Sequence, residues 1–183
     1  KHFMKFLDVM SKHISFANKR NFKPHQVSVW DTWESVMDGF NSEIEEVGVE
    51  ISTLGDDLKV NINQIDLDAI LTQLYLNSIE SLRHVRSSNK KITAKFQHSG
   101  ETLFLTFKDN GRGVGKTLVE KIWNAFELGH NAVNTDYHGH GLGLHFVKQI
   151  IEKNYPGSPP PTAKNLDPGL EINIAFAGVK KVM

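Results

Sequence analysis

The chain has 183 residues, of which 39% are hydrophobic, and this is enough apolar material for one soluble domain with a sizeable core. Its 21 Lys and Arg balance its 21 Asp and Glu, so the sequence predicts no basic surface of the kind that binds nucleic acid. It contains no cysteine, which excludes disulfides and cysteine nucleophiles, and no apolar run approaches the length of a membrane span; both features fit a cytoplasmic domain.

The first segment, residues 1–22, carries apolar residues at helical spacing, from Phe3 to Ala17, and Pro24 follows it. This pattern predicts the last turns of a helix that began upstream. Because the chain opens on Lys1 rather than Met, we expect it to be a piece of a longer protein, which leaves room for a membrane anchor outside it.

The remaining sequence predicts a mixture of strands and helices. In chain order these are a strand at 26–29, a helix at 28–48, strands at 49–54 and 58–62, a helix from 66 or 68 to about 86, strands at 92–96 and 103–107, a short helix at 117–123, a helix through 147–151 and a strand at 170–176. The order lacks the regular alternation of a doubly wound sheet. We therefore expect an α+β fold, a two-layer α/β sandwich in which a mixed, largely antiparallel sheet carries helices on one face.

A glycine-rich loop, Asp109-Asn110-Gly111-Arg112-Gly113-Val114-Gly115, follows the strand at 103–107. Exposed N–H groups in such a loop can bind phosphate or the edge of a base. With Lys116 and Thr117 it approaches a phosphate-binding P-loop, but Asn110 stands where that motif needs its first glycine. With Asp109 it fits a purine-binding loop of the DxGxG kind, and a plain turn at the end of a hairpin is the structural alternative.

A polar stripe runs along the predicted helix from residue 66. Its members Gln73, Asn77, Glu80 and His84 recur at helical spacing beside an apolar face. An Asn facing a pocket can hold Mg²⁺ on a triphosphate, because Mg²⁺ needs few protein oxygens. The alternative is the solvated face of an amphipathic helix.

A second glycine loop, Gly139 to Leu144, precedes a helix, so free N–H groups and the positive end of the helix dipole would meet an anion there. It follows the stretch 124–138, which has little periodicity, as long functional loops often do. His138, His140 and His145 could instead suggest a zinc site, although solvated or phosphate-near histidines fit their spacing better.

Taken in order, these motifs resemble those of the catalytic and ATP-binding domain of sensor histidine kinases, a branch of the Bergerat-fold ATPases that also includes gyrase, Hsp90 and MutL. The resemblance covers residues 25–178. It implies that Asn77 coordinates Mg²⁺, that Asp109 binds the adenine amino group, and that Phe126 bounds an ATP lid at about 124–140. It further implies that the remaining ATP-binding residues are Gly111, Gly113, Gly139, His140, Gly141, Leu142, Gly143 and Leu144.

The same resemblance implies the domain organisation and the partners. Residues 1–22 would be the end of a dimerisation and phosphotransfer helix, and 25–183 the ATP-binding domain. The phosphoacceptor histidine would lie upstream of Lys1, on a helical hairpin of the same parent protein, and a response regulator would take the phosphoryl group onward. We expect the parent to be a homodimer and this piece to be a monomer or a weak dimer.

Two residues depart from the pattern of that family. Gln73 and Asn77 are the candidate catalytic residues. Gln73 stands where hydrolytic relatives have a Glu, and an amide cannot act as general base. Glu80 stands where many kinases have a Lys. The leading hypothesis is therefore phosphoryl transfer from ATP to histidine. A degenerate ATP-binding regulatory module, a P-loop NTPase and, last, a gyrase-like or Hsp90-like hydrolase are the alternatives.

Overall fold

The computed structural model describes residues 24–126 and 141–182. The elements within these ranges are β1 (His25–Ser28), α1 (Val29–Asp38), α2 (Asn41–Val47), β2 (Val49–Leu54), β3 (Lys59–Ile62), α3 (Gln64–Arg83), β4 (Lys90–Ser99), β5 (Thr102–Asp109), α4 (Gly143–Asn154), β6 (Thr162–Leu166), β7 (Gly169–Ala177) and β8 (Lys180–Lys181). None of the helices in these ranges is both long and apolar enough to cross a bilayer.

The main sheet has five strands in the order β2-β4-β5-β7-β6. Only β2 and β4 are parallel, and the other pairs are antiparallel. A small second sheet has the order β1-β3-β8. Side chains alternate along β4 and β5, so that one face of each strand is buried in a core shared with α1, α3 and α4. The predicted α+β sandwich with a mixed, largely antiparallel sheet is confirmed.

Aromatic side chains fill the centre of this core. Trp33 of α1 lies 5.0 Å from Tyr75 of α3 between ring centroids, and 6.0 Å from Phe107 of β5. Such pairs add about 0.5–1.5 kcal/mol each to the free energy of burial. They pack α3 against the strand that ends at Asp109. This packing sets the distance between the polar stripe of α3 and the glycine-rich loop after that strand.

Helices α3 and α4 run antiparallel. Near the start of α3, the carboxylate of Asp66 accepts hydrogen bonds from Asn154 Nδ2 (3.0 Å) and Tyr155 Oη (3.1 Å) at the end of α4. Burial, together with the Asp66 carboxylate, raises the pKa of the Tyr155 hydroxyl, which therefore stays protonated. At the other end of the pair, Gln73 lies against Gly143, the first residue of α4. This places the polar stripe of α3 beside the second glycine loop.

Three details of the sequence prediction are wrong. The helix predicted at 28–48 is two helices separated at Gly39 and Phe40, and the Phe40 ring lies in the core and stacks on Tyr75 at 5.5 Å. The strands predicted at 49–54 and 58–62 are confirmed, and they lie in different sheets. The segment 117–123 forms successive turns rather than a helix. Strand β6, which is polar and lies at the sheet edge, was not predicted.

The boundaries of α3 also differ from the prediction. The helix begins at Gln64, not at Asp66 or Asp68, because Asn63 caps it by accepting from the Ile65 N–H (3.0 Å). It ends at Arg83, one turn before the predicted Arg86. Neither shift moves Gln73 or Asn77 off the helix.

Candidate nucleotide-binding site

Asp109 is a buried carboxylate held in place from two sides. It ends β5 and is 7% exposed. Its Oδ2 accepts from Ser78 Oγ (2.8 Å) and its Oδ1 from the Gly111 N–H (2.8 Å). Burial raises the pKa of this carboxyl, and hydrogen bonds from Gly111, Ser78 and Leu170 oppose the rise. The result is a hydrogen-bond acceptor with a fixed orientation at the end of a central strand.

Glycine is required at two positions of the loop after Asp109. A Cβ at Gly111 would lie 2.8 Å from Asp109 Oδ1 and would also collide with Ser81. Gly113 has a φ of +65°, and a Cβ there would lie 2.7 Å from Asn165 Oδ1. The loop therefore passes too close to α3 and β6 to carry side chains at these positions.

Side chains from three other parts of the fold hold the same loop. Asn110 joins it to the start of β4, where its Oδ1 accepts from the Lys91 N–H (2.7 Å) and its Nδ2 donates to Asn89 O (2.7 Å). Asn165 of β6 accepts from the Val114 N–H (2.9 Å) and donates to Val114 O (2.7 Å). Ser81 Oγ accepts from the backbone N–H of residue 112 (2.9 Å). These hydrogen bonds together hold the loop between α3, β4 and β6.

The sequence analysis missed Ser78, Ser81, Asn110 and Asn165. Asn110 counted there only as a failed P-loop position, whereas its side chain carries two hydrogen bonds. The two serines had a detectable signal, since small polar residues one turn apart next to Asn77 face the same side of α3. No signal in the sequence identifies Asn165, because its hydrogen-bond partner is 51 positions away in the chain.

The junction of α3 and α4 brings together the second group of candidate residues. Gln73 is 2% exposed and Asn77 is half-buried. A Cβ at Gly143 would lie 2.6 Å from Gln73 Oε1 and 3.7 Å from Asn77 Nδ2, so the first residue of α4 lies close to both amides. Gln73 Nε2 and Asn77 Nδ2 are buried without a hydrogen-bond partner among the described residues.

Buried amides left unsatisfied cost about 1–3 kcal/mol each and are rare in stable cores. Here they lie beside the N-terminus of α4, whose free N–H groups and dipole favour an anion. Amide groups next to a positive helix end suit a ligand rich in negatively charged oxygens. The rest of the polar stripe does not join them, because Glu80 pairs with His84 (3.1 Å) near the surface.

The flanks of the predicted lid meet each other. The Phe126 N–H donates to Gly141 O (2.9 Å), and His145 Nδ1 donates to Trp123 O (3.0 Å). Trp123 is 7% exposed, whereas the Phe126 side chain is 75% exposed with a φ of +64°. The buried aromatic at this end is therefore Trp123, not Phe126. Gly139 and His140 lie outside the described residues, as does most of the predicted lid.

The structure does not build a P-loop. Lys116 and Thr117 are exposed, and turns rather than a helix follow them, so the dipole that a P-loop uses is missing there. No group of three His, Asp or Glu that could hold a metal occurs in the part of the chain that the structure describes. Two of the three histidines considered for zinc, His138 and His140, lie outside that part.

Comparison with characterised proteins shows sequence relatives among sensor kinases. A probable C4-dicarboxylate sensor kinase of Bacillus subtilis is 30% identical over 93 residues, which are 51% of this chain and 16% of the relative. The autoinducer 2 sensor kinase/phosphatase LuxQ of Vibrio vulnificus is 24% identical over 138 residues, which are 73% of this chain and 16% of LuxQ. The chain thus spans about a sixth of the length of these relatives.

The fold is that of histidine kinase catalytic domains. The catalytic domain of the histidine kinase ThkA superposes with a TM-score of 0.68 at 20% identity, covering 84% of this chain and 97% of that domain. ThkA in complex with the response regulator TrrA gives a TM-score of 0.68 at 15% identity, covering 96% of this chain and 48% of that one.

Residues 62–163 match the family model described as histidine kinase-, DNA gyrase B- and HSP90-like ATPase. The match includes α3 with Gln73 and Asn77, the loop after Asp109 and the start of α4. It spans more than half of the chain. The chain therefore belongs to the family of histidine kinase-, DNA gyrase B- and HSP90-like ATPases.

Proposed function

We propose that this chain is the ATP-binding catalytic domain of a cytoplasmic or membrane-anchored sensor histidine kinase. Residues 25–183 would form that domain, and 1–22 would end the adjoining phosphotransfer helix. The domain presents ATP so that its γ-phosphoryl group passes to a histidine on a helical hairpin outside the chain, and from there to a response regulator. The buried Asp109, with both of its oxygens oriented by donors, is the observation that carries the proposal.

Asp109 selects the base. Its carboxylate can accept a hydrogen bond from the exocyclic amino group of adenine, whereas guanine presents a carbonyl oxygen at the same place and would be repelled. Because Ser78 and Gly111 fix the carboxylate in advance, little side-chain entropy is lost when the base binds. Gly111 and Gly113 allow the base to approach the backbone.

The α3–α4 junction receives the phosphates. The unsatisfied amides of Asn77 and Gln73 and the N-terminus of α4 fit an anionic, metal-bound ligand. Asn77 would hold Mg²⁺, which when bound neutralises charge on the phosphate oxygens. The backbone of the second glycine loop would contact the phosphates: Gly139, His140, Gly141, Leu142, Gly143 and Leu144.

Gln73 biases the outcome toward transfer rather than hydrolysis. It is buried next to Asn77, and its amide has no basic lone pair that could take a proton from water at neutral pH. The domain therefore acts by positioning and by charge neutralisation, as phosphoryl transfer requires. The nucleophile comes from the hairpin.

A second candidate is an ATP-binding regulatory module that transfers no phosphate. One observation favours it: Glu80 is held by His84 and Arg83 and offers no cation to the phosphates. Both candidates need ATP binding, so only the transfer step separates them.

Two measurements test the proposal. In this chain, titration calorimetry with ATP should show that Mg²⁺ strengthens binding, and Asn77→Ala should remove that gain while Mg²⁺-free binding stays within about twofold. In the parent protein with its hairpin, [γ-³²P]ATP should give acid-labile, alkali-stable phosphate that Asn77→Ala abolishes. ATP binding without any phosphohistidine would support the regulatory module, and an unchanged Mg²⁺ effect in Asn77→Ala would remove Asn77 from the site.

A further inference from the structure

The two ends of α4 are held in different ways. At the C-terminal end, Asn154 and Tyr155 donate hydrogen bonds to the carboxylate of Asp66. At the other end the N-cap residue is Leu142, and no side chain makes a capping hydrogen bond there. The N–H groups of the first helical turn have no acceptor within the helix itself. The position of this turn therefore depends on contacts with other parts of the fold.

One such contact is made by His145, which lies in the first turn of α4. Its Nδ1 donates to the backbone carbonyl oxygen of Trp123 at 3.0 Å. A backbone hydrogen bond from the Phe126 N–H to Gly141 O, at 2.9 Å, lies close by and just before the helix. The two contacts join the turns that end at Phe126 to the beginning of α4.

The acceptor at Trp123 belongs to a well-packed part of the chain. The side chains of Ile122 and Trp123 are 4% and 7% exposed, and both belong to the same core cluster as Val147 of α4. The Ile122 N–H also donates to Leu118 O at 3.0 Å. The carbonyl that His145 contacts is therefore carried by a segment whose own position is set by the core.

We infer that His145 is a positioning residue for the phosphate-binding end of the site, an inference that rests on the proposed function. Gly143 lies two residues before His145 and close to the amides of Gln73 and Asn77. By linking the first turn of α4 to Trp123, His145 keeps the free N–H groups of that turn beside these amides before a nucleotide binds. Less ordering is then needed when the phosphates bind.

The contact fixes the position of a ring proton, which can be measured without nucleotide. A carbonyl oxygen can only accept, so the neutral His145 ring must carry its hydrogen on Nδ1. ¹⁵N NMR of the histidine-labelled chain should show this tautomer, with the His145 signals assigned from their loss in His145→Asn. A neutral ring protonated on Nε2 alone would overturn the inference, whether or not the chain binds ATP.

Nucleotide titrations separate an effect on the phosphates from an effect on the whole site. Binding of ATP and of AMP, which keeps the base and the ribose, is followed by NMR with Mg²⁺ present. His145→Ala should weaken ATP binding about fivefold, the factor for one ordinary hydrogen bond, and AMP binding by less than about 1.5-fold. An equal loss for both nucleotides, or no loss for ATP, would overturn the positioning role.

Two further substitutions at this position identify the ring atom that acts. The amide nitrogen of Asn is bonded to Cγ, as Nδ1 is in His, whereas that of Gln lies one bond further out. His145→Asn should therefore keep ATP affinity within about twofold of the parent, and His145→Gln should resemble His145→Ala. Rescue by Gln but not by Asn would overturn the inference and indicate a direct contact between Nε2 and phosphate.

His98 of β4 supplies a matched control. It is half-buried like His145, and its Nε2 donates to Val179 O at 2.8 Å. His98→Ala removes the same kind of hydrogen bond and should leave both affinities within about 1.5-fold. An ATP-specific loss as large as that of His145→Ala would overturn the inference. A parent chain that does not bind ATP would refute the proposed function, whereas a parent that binds ATP with unresponsive His145 variants would refute only the positioning role.

Discussion

Asp109→Asn is the substitution that tests the proposed base contact most directly. The two side chains have nearly the same shape, so the loop after β5 should keep its position. The change replaces one acceptor oxygen by an NH₂ group. Gly111 N–H and Ser78 Oγ already point at the two carboxylate oxygens, at 2.8 Å each, so the Asn must offer its oxygen to one of them and its NH₂ to the other.

The magnitudes follow from these contacts. A hydrogen bond to a charged acceptor is worth about 1.5–3 kcal/mol, so loss of the contact to the adenine amino group should weaken ATP binding roughly 10- to 150-fold. Stability should change less. One internal hydrogen bond worth about 0.5–1.5 kcal/mol is weakened, while a buried charge, which is costly, is removed. The melting temperature should therefore move by no more than about 4 °C.

The pH dependence of stability and of ATP affinity provides a second test, because a buried carboxyl with a raised pKa predicts the direction of both. Burial raises the pKa of Asp109 above 3.8, so between 3.8 and the raised value the folded state binds more protons than the unfolded one. The free energy of unfolding contributed by this group therefore falls as the pH rises through that window. ATP affinity should rise through the same window, because the ionised form is the better acceptor. Asp109→Asn should show neither trend.

The measurement is calorimetric titration with ATP and GTP, together with urea unfolding at several pH values. Asp56→Asn, an exposed carboxylate on the β2–β3 connection, is the control and should bind ATP like the parent. Unchanged ATP affinity in Asp109→Asn, with the fold intact, would refute the assignment of Asp109 to the base. A parallel loss of affinity and stability would reduce Asp109 to a structural role.

Three further substitutions separate the remaining parts of the site. Ser78→Ala removes the donor to Asp109 Oδ2, so the pKa of Asp109 should rise further and ATP affinity should fall about tenfold, more at acid than at neutral pH; equal losses at acid and neutral pH would contradict this. Asn165→Ala removes both hydrogen bonds to Val114 and should weaken ATP binding severalfold by loosening the loop, whereas Asn165→Asp, which keeps only the acceptor, should be intermediate by the same titration. Lys116→Ala should leave ATP affinity within about twofold, since Lys116 is exposed in a turn; complete loss of binding would restore the P-loop interpretation.

The residues that the sequence places correctly are those whose positions depend on local periodicity. The alternation of β5 puts Asp109 at a strand end, and the helical spacing of α3 puts Gln73 and Asn77 on one face. Both patterns arise because one side of the element must be buried, so the sequence records them directly. The family match to residues 62–163 spans these positions.

The features that the sequence does not reveal depend on tertiary register. Asn165 reaches Val114 only because β6 pairs with β7 and not with β5, and its polar sequence gives no strand signal. The Phe126 side chain is 75% exposed and its φ is +64°, and no local sequence pattern predicts either. The break in the helix predicted at 28–48 is associated with a tertiary contact, in which the Phe40 ring stacks on Tyr75 of α3.

The surroundings of Gln73 bear on whether the proposed site could hydrolyse ATP. The side chain is 2% exposed, and a Cβ at Gly143 would collide with its Oε1, so Gln73 is closely packed against the start of α4. A carboxylate here would lie beside the N-terminus of α4, whose dipole would help to keep it ionised and able to take a proton from water. The amide has almost the same shape and lacks that basicity. If the proposed site is correct, a neutral amide stands where hydrolysis would need a general base, and we expect the domain to retain ATP until a nucleophile from outside the pocket reaches the γ-phosphate.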